Sequence, residues 1–201
     1  MPAYPHHCRF GPVLVAELAL PPKAPAEPAA RAWLGAELGI APAALAIERG
    51  PYGRPHLRLG RWDCNWSHSG DRLAIALAEG LRVGIDIERP RPRPRVLELA
   101  DRYFAPAETA GLAALPEAAR TGAFLRLWCA KEAVLKAHGR GLAFGLDRLR
   151  FEGFEDPAGT PRPVAMDTAL GAPDDWTLQR LPLDGLVGML AWRSAPAGAM
   201  D

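Results

Sequence analysis

Between residues 83 and 88 the sequence alternates without a break: Val83-Gly-Ile-Asp-Ile-Glu88. A period of two is that of a β-strand. Val83, Ile85 and Ile87 then share one face and can enter a core, while Gly84, Asp86 and Glu88 share the other. The second face carries two carboxylates one strand repeat apart, roughly 7 Å along the chain. Like charges that close repel unless something offsets them, and a hard cation such as Mg²⁺ is the usual partner. The alternation alone leaves both a metal-binding face and a solvated acidic face open.

Toward the N-terminus the reading gives a strand at Val13–Leu20, a proline-rich loop over Pro21–Pro28, and a short helix over Ala29–Leu38 that stops at Gly39. His6 and His7 read as incidental neighbours. Ala43–Glu48 is a further strand candidate. Arg49-Gly-Pro-Tyr-Gly-Arg-Pro55 is a turn with two arginines, where glycine lets the backbone approach a ligand, and Leu57 and Leu59 continue as strand. Ser67 and His68 are expected on a turn, followed by a buried strand over Arg72–Ala78 that forms a hairpin-like pair with the Asp86 strand. The Arg89-Pro-Arg-Pro-Arg-Pro-Arg95 linker favours an extended polyproline conformation, either as a solvated connector or as a docking strip for an acidic partner. Helices follow over Val96–Tyr103, from about Pro106 until Pro116, and over Gly122–His138, the last stopped by Gly139 and Gly141. The tail reads as strands at Leu149–Phe154, Trp176–Leu183 and Leu186–Arg193.

The long helix carries an anomaly. At 100° per residue, Phe124, Leu125, Leu127, Trp128, Val134 and Leu135 spread over one broad arc, and Lys131 and Glu132 fall inside it. A carboxylate amid apolar side chains is costly unless paired or bound to a metal. A surface pair of Glu132 with Lys136 is worth only ~0.3–0.5 kcal/mol and does not explain that placement. Taken together, Asp86, Glu88, Glu132, the lysines, the Ser67-His68 segment and the loop arginines make a set for phosphate-ester chemistry. It combines a metal clamp, a basic cradle and a candidate base.

These residues resemble the 4′-phosphopantetheinyl transferase superfamily, in its longer, surfactin-synthetase-activating form. The resemblance rests on Gly53-Arg-Pro55, Trp66-Ser-His-Ser-Gly70, Val83-Gly-Ile-Asp-Ile-Glu88, Trp128-Cys-Ala-Lys-Glu-Ala-Val-Leu-Lys136 and Gly139-Arg-Gly-Leu142, in the family's order, across residues 31 to 150. It implies an α+β fold of two pseudo-twofold-related halves, residues 1–81 and 82–201, each a small antiparallel sheet packed with helices. Coenzyme A would lie in the cleft between them. The implied reaction moves phosphopantetheine from coenzyme A to a serine of an apo acyl, peptidyl or polyketide carrier protein, leaving adenosine 3′,5′-bisphosphate. By the same resemblance Asp86, Glu88 and Glu132 hold Mg²⁺, with Mn²⁺ as an alternative. Glu132, directly or through a metal-bound water, helps deprotonate the serine, and Lys136 with Lys131 offsets charge on the leaving phosphate. Ser67 and His68 touch coenzyme phosphates. Arg49 and Arg54 hold the adenine and 3′-phosphate end, Arg54 standing where a lysine is common. Arg31 matches a basic position of the first helix. The chain departs from the family before Arg31, where a longer basic helical segment is usual and here a proline-rich loop with Lys23 stands.

Two other readings use the same residues: a non-catalytic coenzyme A-binding regulator, whose mark would be loss of the acids or of Lys136, and a Mg²⁺-dependent phosphodiesterase using water in place of serine. A net charge of +1 gives no global case for nucleic acid or membrane. The three scattered cysteines suit a reducing cytosol and form no zinc framework. No secretory signal and no run near the ~18 apolar residues of a membrane span is read. The expectation is therefore a cytoplasmic protein, and the resemblance, with a length that fits both halves of one cleft, implies a monomer.

Overall fold

A computed structural model describes residues 7–195; His6 lies outside them. The chain runs through β1 (His7–Phe10), β2 (Val13–Ala19), α1 (Ala26–Leu38), β3 (Ile47–Arg49), β4 (Pro55–Leu57), β5 (Trp62–Ser69), β6 (Arg72–Glu79) and β7 (Leu81–Glu88). It continues through α2 (Val96–Tyr103), α3 (Pro106–Ala114), α4 (Glu117–His138), β8 (Leu149–Glu152), β9 (Arg162–Met166), β10 (Thr177–Arg180) and β11 (Val187–Ser194). All strand pairs are antiparallel. One sheet has the order β1-β2-β6-β5 and a second the order β10-β11-β7, with two-stranded ribbons β3-β4 and β8-β9. The architecture is α+β, with small antiparallel sheets packed with helices. Among the described residues no helix is long and apolar enough to cross a membrane.

The 83–88 alternation resolves as expected. Val83, Ile85 and Ile87 are buried against Val13, Val15, Ala74, Ala76 and Ala78 of the first sheet. The opposite face of β7 meets α4. Contact there is so close that a Cβ at Gly84 would lie 2.0 Å from the carbonyl oxygen of Ala133 and 2.5 Å from the amide nitrogen of Ala137. Glycine on the strand and alanines on the helix together allow this approach. α4 is accordingly buried on nearly every side, not along one arc: residues 123–127, 129–135 and 137 are all buried, because α4 lies over β7 and β11 and also contacts α2 and α3.

Several boundaries differ from the sequence reading. α1 starts at Ala26, with Pro28 in its first turn; proline is tolerated there because that amide would have no helical partner anyway. α4 starts at Glu117, through Gly122, because packing outweighs the ~1 kcal/mol helix cost of glycine. Within 43–48 only Ile47 and Glu48 are strand, and Pro42–Ala44 form a 3₁₀ turn; Leu59 falls beyond β4. The Pro161-Arg162-Pro163 stretch hid β9, which pairs with β8 across a register shift at Arg150/Phe151.

The expected hairpin of β6 with β7 does not form. Gly80 alone, at φ 71°, links them and turns the chain from the first sheet into the second. β7 pairs along its whole length with β11, Leu81 opposite Ser194 through Glu88 opposite Val187. Its other edge is covered by side chains. Val83 N donates to Asp63 Oδ2 at 2.8 Å, Ile85 N to Asn65 Oδ1 at 3.0 Å, Ile87 N to Ser67 Oγ at 3.4 Å and Arg89 N to Ser69 Oγ at 3.0 Å. Every second residue of β5 thus stands in for the missing ladder partner, so the buried amides of β7 are satisfied and the two sheets are clasped together.

Candidate active site

α4 and β7 bring their polar side chains into one cluster. Lys136 Nζ lies 2.6 Å from Asp86 Oδ1 and donates also to Ser67 Oγ at 3.0 Å and to the carbonyl of Ile85 at 3.3 Å. Ser67 Oγ in turn donates to Asp86 Oδ1 at 2.8 Å. Asp86 and Glu132 are each only 6% exposed. Burial, together with the neighbouring Asp86 and Glu88 carboxylates, pushes the Glu132 carboxyl up to about 7, against the opposing pull of Lys136. Burial would lower the ammonium of Lys136, but Asp86, through charge and hydrogen bond, and Glu132 hold it above the usual lysine range. The cluster therefore has a fixed cation beside Asp86 and, in Glu132, a carboxyl that titrates near neutrality and is suited to proton transfer. Cys129 lies nearby, but complete burial and Asp86 raise its thiol well above the ordinary range, so it is inert.

The fit to a divalent metal rests on Asp86. Its Oδ2 is buried with no hydrogen-bond partner, and an orphaned buried carboxylate oxygen is costly unless a cation meets it. Hard oxygen donors from Asp86 and Glu132, completed by water and phosphate oxygens, are what Mg²⁺ takes. Among the described residues no group of three or more His, Cys, Asp or Glu is close enough to hold a metal ion. Glu88 stands apart: it accepts from Ser69 Oγ at 3.3 Å and lies 3.8 Å from Arg93.

The remaining expected residues scatter. Ser67 and His68 sit on β5 and not on a turn; the turn is Gly70-Asp71. Strand alternation then separates them, Ser67 buried toward β7 and His68 exposed on the other face. Lys131 lies outside this cluster. It is wholly buried, 2.7 Å from Glu108 and donating to the carbonyls of Leu146 and Leu149. Five residues separate it from Lys136, about 140° around the helix, so the two lysines cannot share a target. Burial brings its ammonium down to about 8, with Glu108 opposing.

Arg54 is likewise withdrawn from the loop surface, 5% exposed and paired with Asp63 at 2.6 Å. Arg49 is exposed, ion-paired to Glu27, donating to Gly53 O at 2.9 Å and lying 4.9 Å over the Trp66 ring. Arg31 pairs with the same Glu27 at 2.9 Å and donates to Leu45 O at 2.7 Å. Next to Arg49, a cleft of about 450 Å³ is lined by His56, Arg58, Trp62 and Arg82 among others. Lys23 is exposed. The sequence reading missed Asp63, Asn65 and Ser69, although their alternation with Ser67 along one strand was visible.

The sequence profile described as "4'-phosphopantetheinyl transferase superfamily" matches residues 82–187, more than half of the chain and the part that carries β7 and α4. The chain belongs to this superfamily. Among relatives of this member, a protein of Synechocystis sp. named as a 4′-phosphopantetheinyl transferase is 39% identical over 125 residues, 60% of this chain and 50% of that protein. A 4′-phosphopantetheinyl transferase of Bacillus subtilis is 34% identical over 120 residues, 57% of this chain and 52% of that protein. The 4′-phosphopantetheinyl transferase HetI of Nostoc sp. is 32% identical over 166 residues, 80% of this chain and 66% of that protein. The chain thus spans about half to two thirds of the length of these relatives. A solved holo-ACP-synthase from Plasmodium yoelii aligns with a TM-score of 0.37 at 16% identity, over 57% of this chain and 97% of that one, a likeness too slight to carry weight.

Proposed function

We propose that the protein transfers the 4′-phosphopantetheine moiety of coenzyme A to a serine hydroxyl of an apo carrier protein. The observation that carries this reading is the convergence of Asp86, Glu132 and Lys136 from β7 and α4, with one carboxylate oxygen of Asp86 buried and unpartnered. Its support from relatives is that they are named for this activity. In the reaction the serine oxygen attacks the pyrophosphate phosphorus that bears the pantetheine arm. The bond from that phosphorus to the bridging oxygen breaks, and adenosine 3′,5′-bisphosphate departs with the electron pair. Glu132, a carboxyl near neutrality, takes the serine proton. Lys136, held charged by Asp86, faces the negative charge that grows on the leaving phosphate. Ser67 fixes the Asp86 carboxylate by donating to its Oδ1, leaving Oδ2 free.

Asp86 and Glu132 would hold Mg²⁺, with Mn²⁺ as an alternative, and Glu88 would join them as a third only on leaving Ser69 and Arg93. When bound, the ion supplies charge neutralisation and alignment of the pyrophosphate. Arg49, exposed beside the 450 Å³ cleft, and His68, exposed on β5, are the residues we assign to coenzyme phosphates. The partner is an acyl, peptidyl or polyketide carrier protein whose acidic surface would meet Arg91 and Arg95, the two exposed arginines of the proline-alternating linker. We take the protein as a cytoplasmic monomer whose two halves divide at residues 81 and 82; membership of β1-β2-β6-β5 and β10-β11-β7 in separate sheets supports that division.

The test incubates the protein with Mg²⁺, coenzyme A and a panel of apo carriers, and measures adenosine 3′,5′-bisphosphate against holo carrier. Equal amounts of both are expected. Release without any carrier would establish a phosphodiesterase instead, and coenzyme A binding without release a regulator.

A further inference from the structure

We propose that Arg54 is a positioning residue for Lys136 and not a ligand of the coenzyme; the proposal rests on the transferase reading above. A guanidinium has five N–H donors and no acceptor. All five of Arg54 are used within the protein. Nε donates to the carbonyl of Lys136 at 2.8 Å. Nη1 donates to Pro55 O and to Asp63 Oδ1, each at 2.9 Å, and Nη2 donates to Asp63 Oδ2 at 2.6 Å and to Val83 O at 3.0 Å. Nothing is left for a phosphate, and an anion brought to this guanidinium would meet the Asp63 carboxylate first.

What Arg54 joins is the same trio of elements that builds the site. Asp63 is on β5 four residues before Ser67 and on the same face, Val83 is on β7 three residues before Asp86, and Lys136 is on α4. At one end of this junction Lys136 Nζ ties Ser67 to Asp86. At the other, Arg54 ties Asp63 to Val83 and takes the backbone carbonyl of Lys136 itself. That carbonyl belongs to the last turn of α4, where helix carbonyls have no partner within the helix and a cation is favoured. The aliphatic stem of Arg54 also lies against the stop of α4: a Cβ at Gly139, whose φ is 103°, would stand 3.3 Å from Arg54 Cδ. The backbone of Lys136 is thereby pinned from below while its ammonium reaches Asp86 above. A lysine has three donors on a single nitrogen and cannot bridge Asp63, Val83 and Lys136 together.

Arg54→Lys and Asp63→Asn test this, with coenzyme A and 3′-dephospho-coenzyme A as paired substrates, Mg²⁺ and one apo carrier. Rates are normalised to the folded fraction from urea titration. A ligand shifted by 1 Å loses roughly 100-fold in rate, so a partial shift of Lys136 predicts a fall in kcat of about ten-fold or more in both variants. The coenzyme KM stays within about two-fold, and the kcat/KM preference for coenzyme A over its dephospho form stays at the wild-type value. Loss of that preference in Arg54→Lys with kcat retained would overturn the proposal, since it would place Arg54 on the 3′-phosphate. A tighter coenzyme KM in Asp63→Asn would overturn it too, because freeing the arginine would then aid binding. If the wild-type protein transfers nothing, the transferase reading fails. Amide hydrogen exchange over residues 136–139 then decides the placement of Arg54. Faster exchange in Arg54→Lys than in wild type supports the pin, and unchanged exchange refutes it.

Discussion

Gly84→Ala puts the contact between β7 and α4 under direct strain. The added methyl would stand 2.0 Å from Ala133 O and 2.5 Å from Ala137 N. Both are backbone atoms of a buried helix and cannot rotate away. Ordinary contact begins at 3.4 Å, so the shortfall to Ala133 O is 3.4 − 2.0 = 1.4 Å. α4 must therefore retreat or turn by on the order of 1 Å. Overpacking of this kind costs about 1–3 kcal/mol. The 2.6 Å contact of Lys136 with Asp86 is made across the same gap, and losing a hydrogen bond between charged groups adds about 1.5–3 kcal/mol. Removing a glycine restricts the unfolded chain and returns about 0.4–1 kcal/mol. The expected net loss is roughly 1.5–5.5 kcal/mol in urea unfolding followed by circular dichroism. Transfer by the folded fraction should fall about 100-fold, because Glu132 and Lys136 ride on the displaced helix. A variant within about 0.5 kcal/mol of wild type, with normal transfer, would refute the claim that this glycine sets the distance between helix and strand.

Lys131→Met leaves the buried Glu108 without its cation, so stability should drop by about 3–5 kcal/mol; the coenzyme KM of the folded fraction should be unchanged, whereas a raised KM would return Lys131 to the phosphate site. Arg91→Ser with Arg95→Ser should raise the carrier KM several-fold in steady-state assays and leave coenzyme KM alone. Burial, with Arg54 and Arg82, holds the His56 imidazole below its ordinary value. The unfolded chain therefore binds more protons there, and His56 lowers stability progressively as pH falls below the unfolded value of about 6.5. Urea unfolding of His56→Gln at pH 7 and pH 5 should show a smaller loss of stability on acidification than wild type.

The parts of the site that were legible in the sequence are those where one element's own pattern carries the information. The 83–88 alternation placed Asp86 opposite a core face, and Glu132 stood out because a carboxylate within an apolar helix needs a reason. The placement of Arg54 was not legible because a glycine- and proline-rich loop specifies backbone freedom but not where its side chain ends. Three of its partners, Asp63, Val83 and Lys136, are brought to it only by the tertiary fold. That Lys131 would pair with Glu108 away from Lys136 was hidden by treating the helix as having one functional side, although the spacing of the two lysines already pointed them apart. The hairpin expected between β6 and β7 failed for a local reason: one glycine cannot close a two-strand turn, and β5 side chains supply the acceptors a neighbouring strand would have given. β9 was hidden by its prolines, which a short edge ribbon tolerates.

Intact-protein mass spectrometry of an apo carrier after incubation with coenzyme A and Mg²⁺, comparing wild type with Asp86→Ala and Glu132→Gln, tests the assignment of this cluster most directly. The wild-type protein should make the carrier heavier by one phosphopantetheine, and each folded variant should leave it unchanged. No shift with wild type across several carriers, or near-normal transfer by either variant, would contradict the account.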